Sequence, residues 1–134
     1  MIALDSSAIV AILLGEPEAS AFRGIVAQGR CLIGAPTLCE ARMALNRRLR
    51  NRAAQALERI VADGHIEVVS FDETMSAIGI DAFNRYGKGR GHPAQLNFGD
   101  CLSYAVAKSR GLPLLFKGND FGRTDLVPAY APTA

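Results

Sequence analysis

Short apolar runs alternate with longer stretches whose apolar residues recur at helical spacing, and this alternation predicts the architecture. Met1 to Leu4 is a short apolar run suited to a strand, and Asp5-Ser6-Ser7 behind it supplies a cap for a helix over Ala8 to Leu14, stopped by Gly15. Pro17 fits a first helical position. Ala19, Phe22, Ile25 and Val26 follow at helical spacing, predicting a second helix to about Gln28. Cys31 to Gly34 is a short buried strand. From Pro36-Thr37 a helix carries Leu38, Ala41, Leu45 and Leu49 on one stripe, and a further helix covers Ala53 to Ala62, ended by Asp63-Gly64.

Ile66 to Phe71 predicts a third strand, and Met75, Ile78, Ala82 and Tyr86 line one face of the next helix. Gly87 to Pro93 must be a loop, since three glycines and a proline interrupt it. Gly99 to Arg110 is a helix rich in small residues with Gly111 as its C-terminal cap, and Pro113 to Phe116 is a fourth strand. Strands alternating with helices predict an α/β three-layer sandwich: a mostly parallel sheet of about four or five strands, flanked by helices, with residues 1–134 as one domain. In such sheets ligands bind at the carboxyl ends of the strands, where Asp5 and Asp120 fall.

A chain of 134 residues that is 49% hydrophobic is long enough to bury a core without disulfides or structural zinc. Cys31, Cys39 and Cys101 are odd in number and lack zinc or redox spacing, and His65 and His92 stand alone. No run approaches transmembrane length and the N-terminus begins a strand at once, so a cytoplasmic protein is expected. The net charge of +2 hides local patches, above all Arg42, Arg47, Arg48, Arg50 and Arg52.

Against that background four acids stand out: Asp5 after the first strand, Glu40 in Leu-Cys-Glu-Ala-Arg, Asp100 in the first turn of its helix, and Asp120 just after the fourth strand. Carboxylates that converge without cations repel one another, so such a cluster is costly unless a hard divalent metal binds there. Metal-dependent chemistry on phosphate follows. Ser6 or Ser7 either supports a ligand or caps the first helix, and Asn97 either orients Asp100 or caps its helix. Thr124 and Asp125 lie within one turn's reach of Asp120, and Asp125 is a candidate fifth acid.

The segments Met-Ile-Ala-Leu-Asp-Ser-Ser-Ala-Ile from Met1, Leu-Leu-Gly-Glu-Pro-Glu from Leu13, Leu-Cys-Glu-Ala-Arg from Leu38, Leu-Asn-Phe-Gly-Asp-Cys-Leu-Ser-Tyr-Ala from Leu96, and Leu-Leu-Phe-Lys-Gly-Asn-Asp-Phe-Gly-Arg-Thr-Asp from Leu114 together resemble a PIN-domain ribonuclease of the VapC toxin type. Their order and spacing carry the match. The resemblance implies an acidic pocket of Asp5, Glu40, Asp100 and Asp120 binding Mg²⁺ or Mn²⁺, with Asp5 and Asp100 as ligands and Glu40 and Asp120 contributing directly or through water. It also implies endonucleolytic RNA cleavage by metal-activated water leaving a 5′-phosphate and a 3′-hydroxyl, inhibition by a cognate antitoxin, and a homodimer.

Lys88, Arg90 and His92 in the glycine-rich loop, with Lys117 near Asp120, are then candidates to hold RNA phosphates, and Tyr86 or Phe121 to stack on a base. Two other readings compete. A haloacid-dehalogenase-like phosphatase needs a second aspartate where Ser7 stands, and a receiver-like signalling domain needs a phosphoacceptor at Asp72 and paired acids after the first strand. A catalytically silent relative that only binds is the third alternative.

Overall fold

The computed structural model describes residues 1–131; residues 132–134, part of the span expected to form one domain, lie outside the described residues. Four strands, β1 (Ile2–Leu4), β2 (Cys31–Gly34), β3 (Glu67–Val69) and β4 (Leu114–Leu115), form one sheet in the order β3-β2-β1-β4. Every neighbouring pair is parallel. Parallel strands need long crossovers, and here helices provide them: α1 (Ser6–Leu13), α2 (Ala19–Val26), α3 (Ala35–Leu49), α4 (Ala53–Asp63), α5 (Glu73–Tyr86) and α6 (Phe98–Arg110).

The two-residue period of the strands divides the core. Ala3, Leu32 and Leu114 face one layer with Met75, Ala82, Tyr86 and Tyr104 of α5 and α6. Leu4, Ile33 and Leu115 face the other, with Ile9, Ile12, Phe22, Leu45 and Leu57 of α1 to α4. The sandwich expected from the alternation of elements is the one observed.

Boundaries differ where side chains cap helices. Asp5 is itself the N-cap of α1, accepting from the Ser7 N–H at 3.1 Å, so the helix starts at Ser6 and not at Ala8. The expected strand Ile66 to Phe71 shortens to Glu67–Val69 because Asp72 caps α5, its carboxylate accepting from the Met75 N–H at 2.9 Å. That ordinary role also leaves the receiver reading without support. β4 pairs over two residues, and the chain after it makes a bridge from Leu114 to Pro128 beyond a 3₁₀ turn at Phe121–Arg123.

The strand order positions the site. From β1 the chain moves to β2 on one side and returns much later to β4 on the other, leaving a crevice at the carboxyl ends of β1 and β4. Asp5 follows β1 there, and its backbone N–H donates to the Leu115 carbonyl at 3.0 Å.

Candidate active site

Asp5 is only 4% exposed, and its carboxylate is held by three donors. Oδ2 accepts from the Ser7 N–H at 3.1 Å and from the Ser7 hydroxyl at 2.5 Å, while Oδ1 accepts from the Ser103 hydroxyl at 2.5 Å. Ser7 Oγ in turn accepts from the Lys117 N–H at 3.0 Å, which ties the start of α1 to the end of β4. Ser6 donates to Glu40 Oε1 at 2.8 Å. Both serines therefore serve acids, Ser7 while also standing in the capped turn.

Glu40 lies half-buried on α3, where burial pushes its carboxyl up, the Ser6 hydrogen bond opposes this and the Asp5 charge adds to it. Its carboxylate packs directly on Gly99, where a Cβ would collide with it. Glycine at that position lets the acid of α3 rest against the first turn of α6, beside Asp100. Asp100 forms a reciprocal capping box with Asn97: Asn97 Oδ1 accepts from the Asp100 N–H at 2.8 Å, and Asp100 Oδ2 from the Asn97 N–H at 3.0 Å. Capping the helix and orienting Asp100 are thus one arrangement for Asn97.

Asp100 is pushed up to about 6, first by burial and then, against the Asn97 N–H, by the negative charges of Asp5, Asp120 and Glu40. Those charges reach it because the four elements converge. Asp120 is exposed, at the mouth of the crevice before the 3₁₀ turn. Among the described residues Asp5, Glu40, Asp100 and Asp120 have no cation partner, as also holds for the exposed acids Glu58, Asp63, Glu67, Asp72 and Glu73; what sets the four apart is that Asp5, Glu40 and Asp120 all lie close enough to raise Asp100.

An all-oxygen, unneutralised set of this kind fits a hard divalent ion. Among the described residues no three His, Cys, Asp or Glu side chains are already gathered into a cage. Among the described residues no donor pairs with Glu40 Oε2, which rests on Gly99, or with Asp100 Oδ1, so each keeps lone pairs for an ion.

Several expected contributors have other work. Asp125 accepts from the Tyr104 hydroxyl at 2.6 Å and from Lys108 Nζ at 2.7 Å, and although burial opposes it, these two hold its carboxyl down at about 2. It is a structural acid and not a fifth member of the pocket. Thr124 donates to the Phe121 carbonyl at 2.7 Å and accepts from the Leu126 N–H, so it closes a turn instead of supporting a ligand. Lys117 is salt-bridged to Glu16 at 3.2 Å and Glu18 at 3.6 Å, leaving its backbone N–H as its contribution near the acids.

His92 Nδ1 accepts from the Ala94 N–H at 3.0 Å and its ring packs edge-on against Tyr86, which orders the glycine-rich loop. Lys88 and Arg90 remain exposed there, with the Arg90 guanidinium 5.8 Å from the Phe83 ring centre. Tyr86 and Phe121, considered for base stacking, are buried in the core. Phe98 is the exposed aromatic nearest the acids in sequence on α6. It is 79% exposed, two residues before Asp100, and its signal was an aromatic lying outside the small-residue stripe of α6.

Replacing Asp125 with Ala is expected to lower stability by about 1–2 kcal/mol, since the Tyr104 hydroxyl loses its charged acceptor. Its depressed carboxyl stabilises the fold above the normal aspartate range, and that contribution is lost as pH falls through about 2. Urea unfolding at pH 7 and at pH 3 measures both.

A family model described as PIN domain matches residues 2–127. Ribonuclease VapC42 of Mycobacterium tuberculosis is 39% identical over 127 residues, which cover 94% of this chain and 97% of that protein. Ribonuclease VapC of Mycolicibacterium smegmatis is 37% identical over 128 residues, covering 95% and 98%. Among solved structures, Mycobacterium tuberculosis VapC20, a Sarcin-Ricin loop cleaving toxin, superposes with a TM-score of 0.77 at 21% identity, over 95% of this chain and 97% of that one. VapBC2 from Rickettsia felis, bound to a DNA fragment from its promoter, gives 0.74 at 16% identity over 96% and 97%. At such identities the structural likeness speaks to the fold alone.

Proposed function

The chain belongs to the PIN-domain family, among the VapC ribonucleases, and from that premise we propose that it is a metal-dependent endoribonuclease and the toxin of a toxin-antitoxin pair. The observation that carries the reading is four carboxylates without cation partners, converging at the crevice between β1 and β4. Asp5 and Asp100 would hold Mg²⁺ or Mn²⁺, with Glu40 and Asp120 contributing directly or through water. When bound, the ion lowers the pKa of a water and offsets charge on the leaving oxygen.

The protein's own groups supply the rest. Ser7 and Ser103 fix Asp5, the capping box aims Asp100, and Ser6 with Gly99 seats Glu40 against it. Glu40 Oε2, where Glu40 contributes through water, is the candidate to accept a proton from the attacking water. Attack in line on phosphorus with departure of the 3′ oxygen leaves a 3′-hydroxyl and a 5′-phosphate. Lys88 and Arg90 would hold flanking phosphates, so RNA affinity falls with salt.

The VapBC complexes among the fold neighbours support a cognate antitoxin as partner. A homodimer and a cytoplasmic location belong to the same proposal; no helix among the described residues is long and apolar enough to cross a membrane. The test is cleavage of end-labelled structured RNA by the purified chain. Internal cuts that vanish with EDTA, return with Mg²⁺ or Mn²⁺ and are suppressed by the product of the adjacent reading frame are expected. Cuts indifferent to EDTA would remove the metal reading.

A further inference from the structure

Among the described residues, the buried polar side chains are Asp5 at 4%, Thr37 at 2% and Ser103 at 1% exposure, and they form one hydrogen-bonded chain. Ser103 Oγ lies 2.5 Å from Asp5 Oδ1, and Thr37 Oγ1 lies 3.4 Å from Ser103 Oγ. The proton order follows from chemistry. A carboxylate only accepts, so the single Ser103 proton goes to Asp5, and the Thr37 hydroxyl donates to the Ser103 oxygen.

The Ser103 hydroxyl is not where packing alone would put one. Ser103 sits inside α6 beside Tyr104, Ala105, Val106 and Ala107, all buried, where alanine would fill the space. A serine within a helix commonly bonds back to the preceding turn. This one reaches instead across 98 positions to Asp5, just beyond β1. Its approach depends on Gly34, where a Cβ would come within 2.8 Å of Val106 Cγ2 and push α6 off the end of β2.

The three members lie on the elements that carry the acids. Asp5 follows β1 as the N-cap of α1, Ser103 stands three residues after Asp100 on α6, and Thr37 three residues before Glu40 on α3. Residues three apart share a helix face, so the relay runs one turn beneath the carboxylates. We propose that Thr37 and Ser103 are positioning residues: a buried hydroxyl relay that locks β1, α3 and α6 in register and fixes Asp5 Oδ1, so that the acids can close on a divalent ion. The proposal rests on the metal-dependent reading above.

The relay predicts a graded loss of metal affinity with little change of fold. Mn²⁺ binding measured by titration calorimetry is expected to weaken by about tenfold or more in Ser103→Ala, the range seen when groups that orient metal ligands are removed. Ser103→Cys keeps the volume with a poorer donor and falls between, which preserves the test if the alanine variant folds badly. Thr37→Val is expected to weaken Mn²⁺ in the same direction but less, because its bond is longer, and Thr37→Ser to restore it. Circular dichroism of the metal-free variants checks the fold.

Mn²⁺ affinity of Ser103→Ala within about twofold of wild type would overturn the relay while leaving the nuclease reading intact. So would a Thr37→Ser variant as weak as Thr37→Val, which would assign the loss to packing. Wild-type protein that binds no Mn²⁺ would remove both the relay and the metal reading.

Discussion

Asp5→Asn is expected to abolish RNA cleavage, by roughly 10³-fold or more, in a protein that still folds. The change removes one ligand charge at the most rigidly held member of the pocket and leaves its volume nearly unchanged. Ser7 and Ser103 find an acceptor in the amide oxygen on one side only, since the amide nitrogen donates where the carboxylate accepted. The loss therefore belongs in the turnover number, with RNA binding through Lys88 and Arg90 preserved. Cleavage rates at saturating RNA, together with binding measured in EDTA, separate the two. An Asp5→Asn variant that cuts at the wild-type rate in Mg²⁺ would remove Asp5 from the site.

Asp100→Asn should have the opposite effect on the metal-free fold, raising its melting temperature at pH 7 by a few degrees. The Asp100 carboxyl is raised from 3.8 to about 6, with burial as the leading cause and the charges of Asp5, Asp120 and Glu40 behind it. The sign follows from linkage. The unfolded chain loses this proton near its ordinary value, while the folded chain keeps it until about 6, so apo stability falls as pH rises through that window and the full penalty holds above it.

Asp100 is partly exposed, so solvent screening reduces the effect to roughly 1 kcal/mol, which still exceeds the benefit an acid draws from the helix dipole. Near pH 4 the gain shrinks. Mg²⁺ should then stabilise wild type more than the variant, because the ion binds the folded state with both ligands present. Melts at pH 4 and pH 7 with and without Mg²⁺ check both parts. Equal melting temperatures and equal metal responses would mean that the acids do not repel one another.

The helices and strands were legible in the periodicity because each buries one stripe or one run against the sheet. Asp5 and Asp120 were placed at strand ends by the same reasoning, and Glu40 stood out as a charge among Leu38, Cys39 and Ala41. Contacts that depend on topology were not legible. Ser103 is indistinguishable in sequence from any small residue of a packed helix, and only the parallel order β1 next to β4, with α6 packed across β1 and β2, brings it to Asp5. Lys117 is a phosphate candidate by sequence because Glu16 and Glu18 lie about a hundred residues earlier, and Asp125 stays open between a fifth acid and an exposed residue because Tyr104 and Lys108 are a helix away. Local capping decided the strand ends, as Asp72 shows.

The central claim, that the four acids converge to hold one hard cation for RNA cleavage, is met most directly by locating Mn²⁺ in crystals of the wild-type protein from its anomalous scattering. The account predicts a peak in the crevice between β1 and β4, ligated by oxygens of Asp5 and Asp100, with Glu40 and Asp120 in the same shell or joined to it through water. Crystals soaked in Mn²⁺ that show no peak there, from protein whose RNA cleavage requires Mn²⁺, would contradict it.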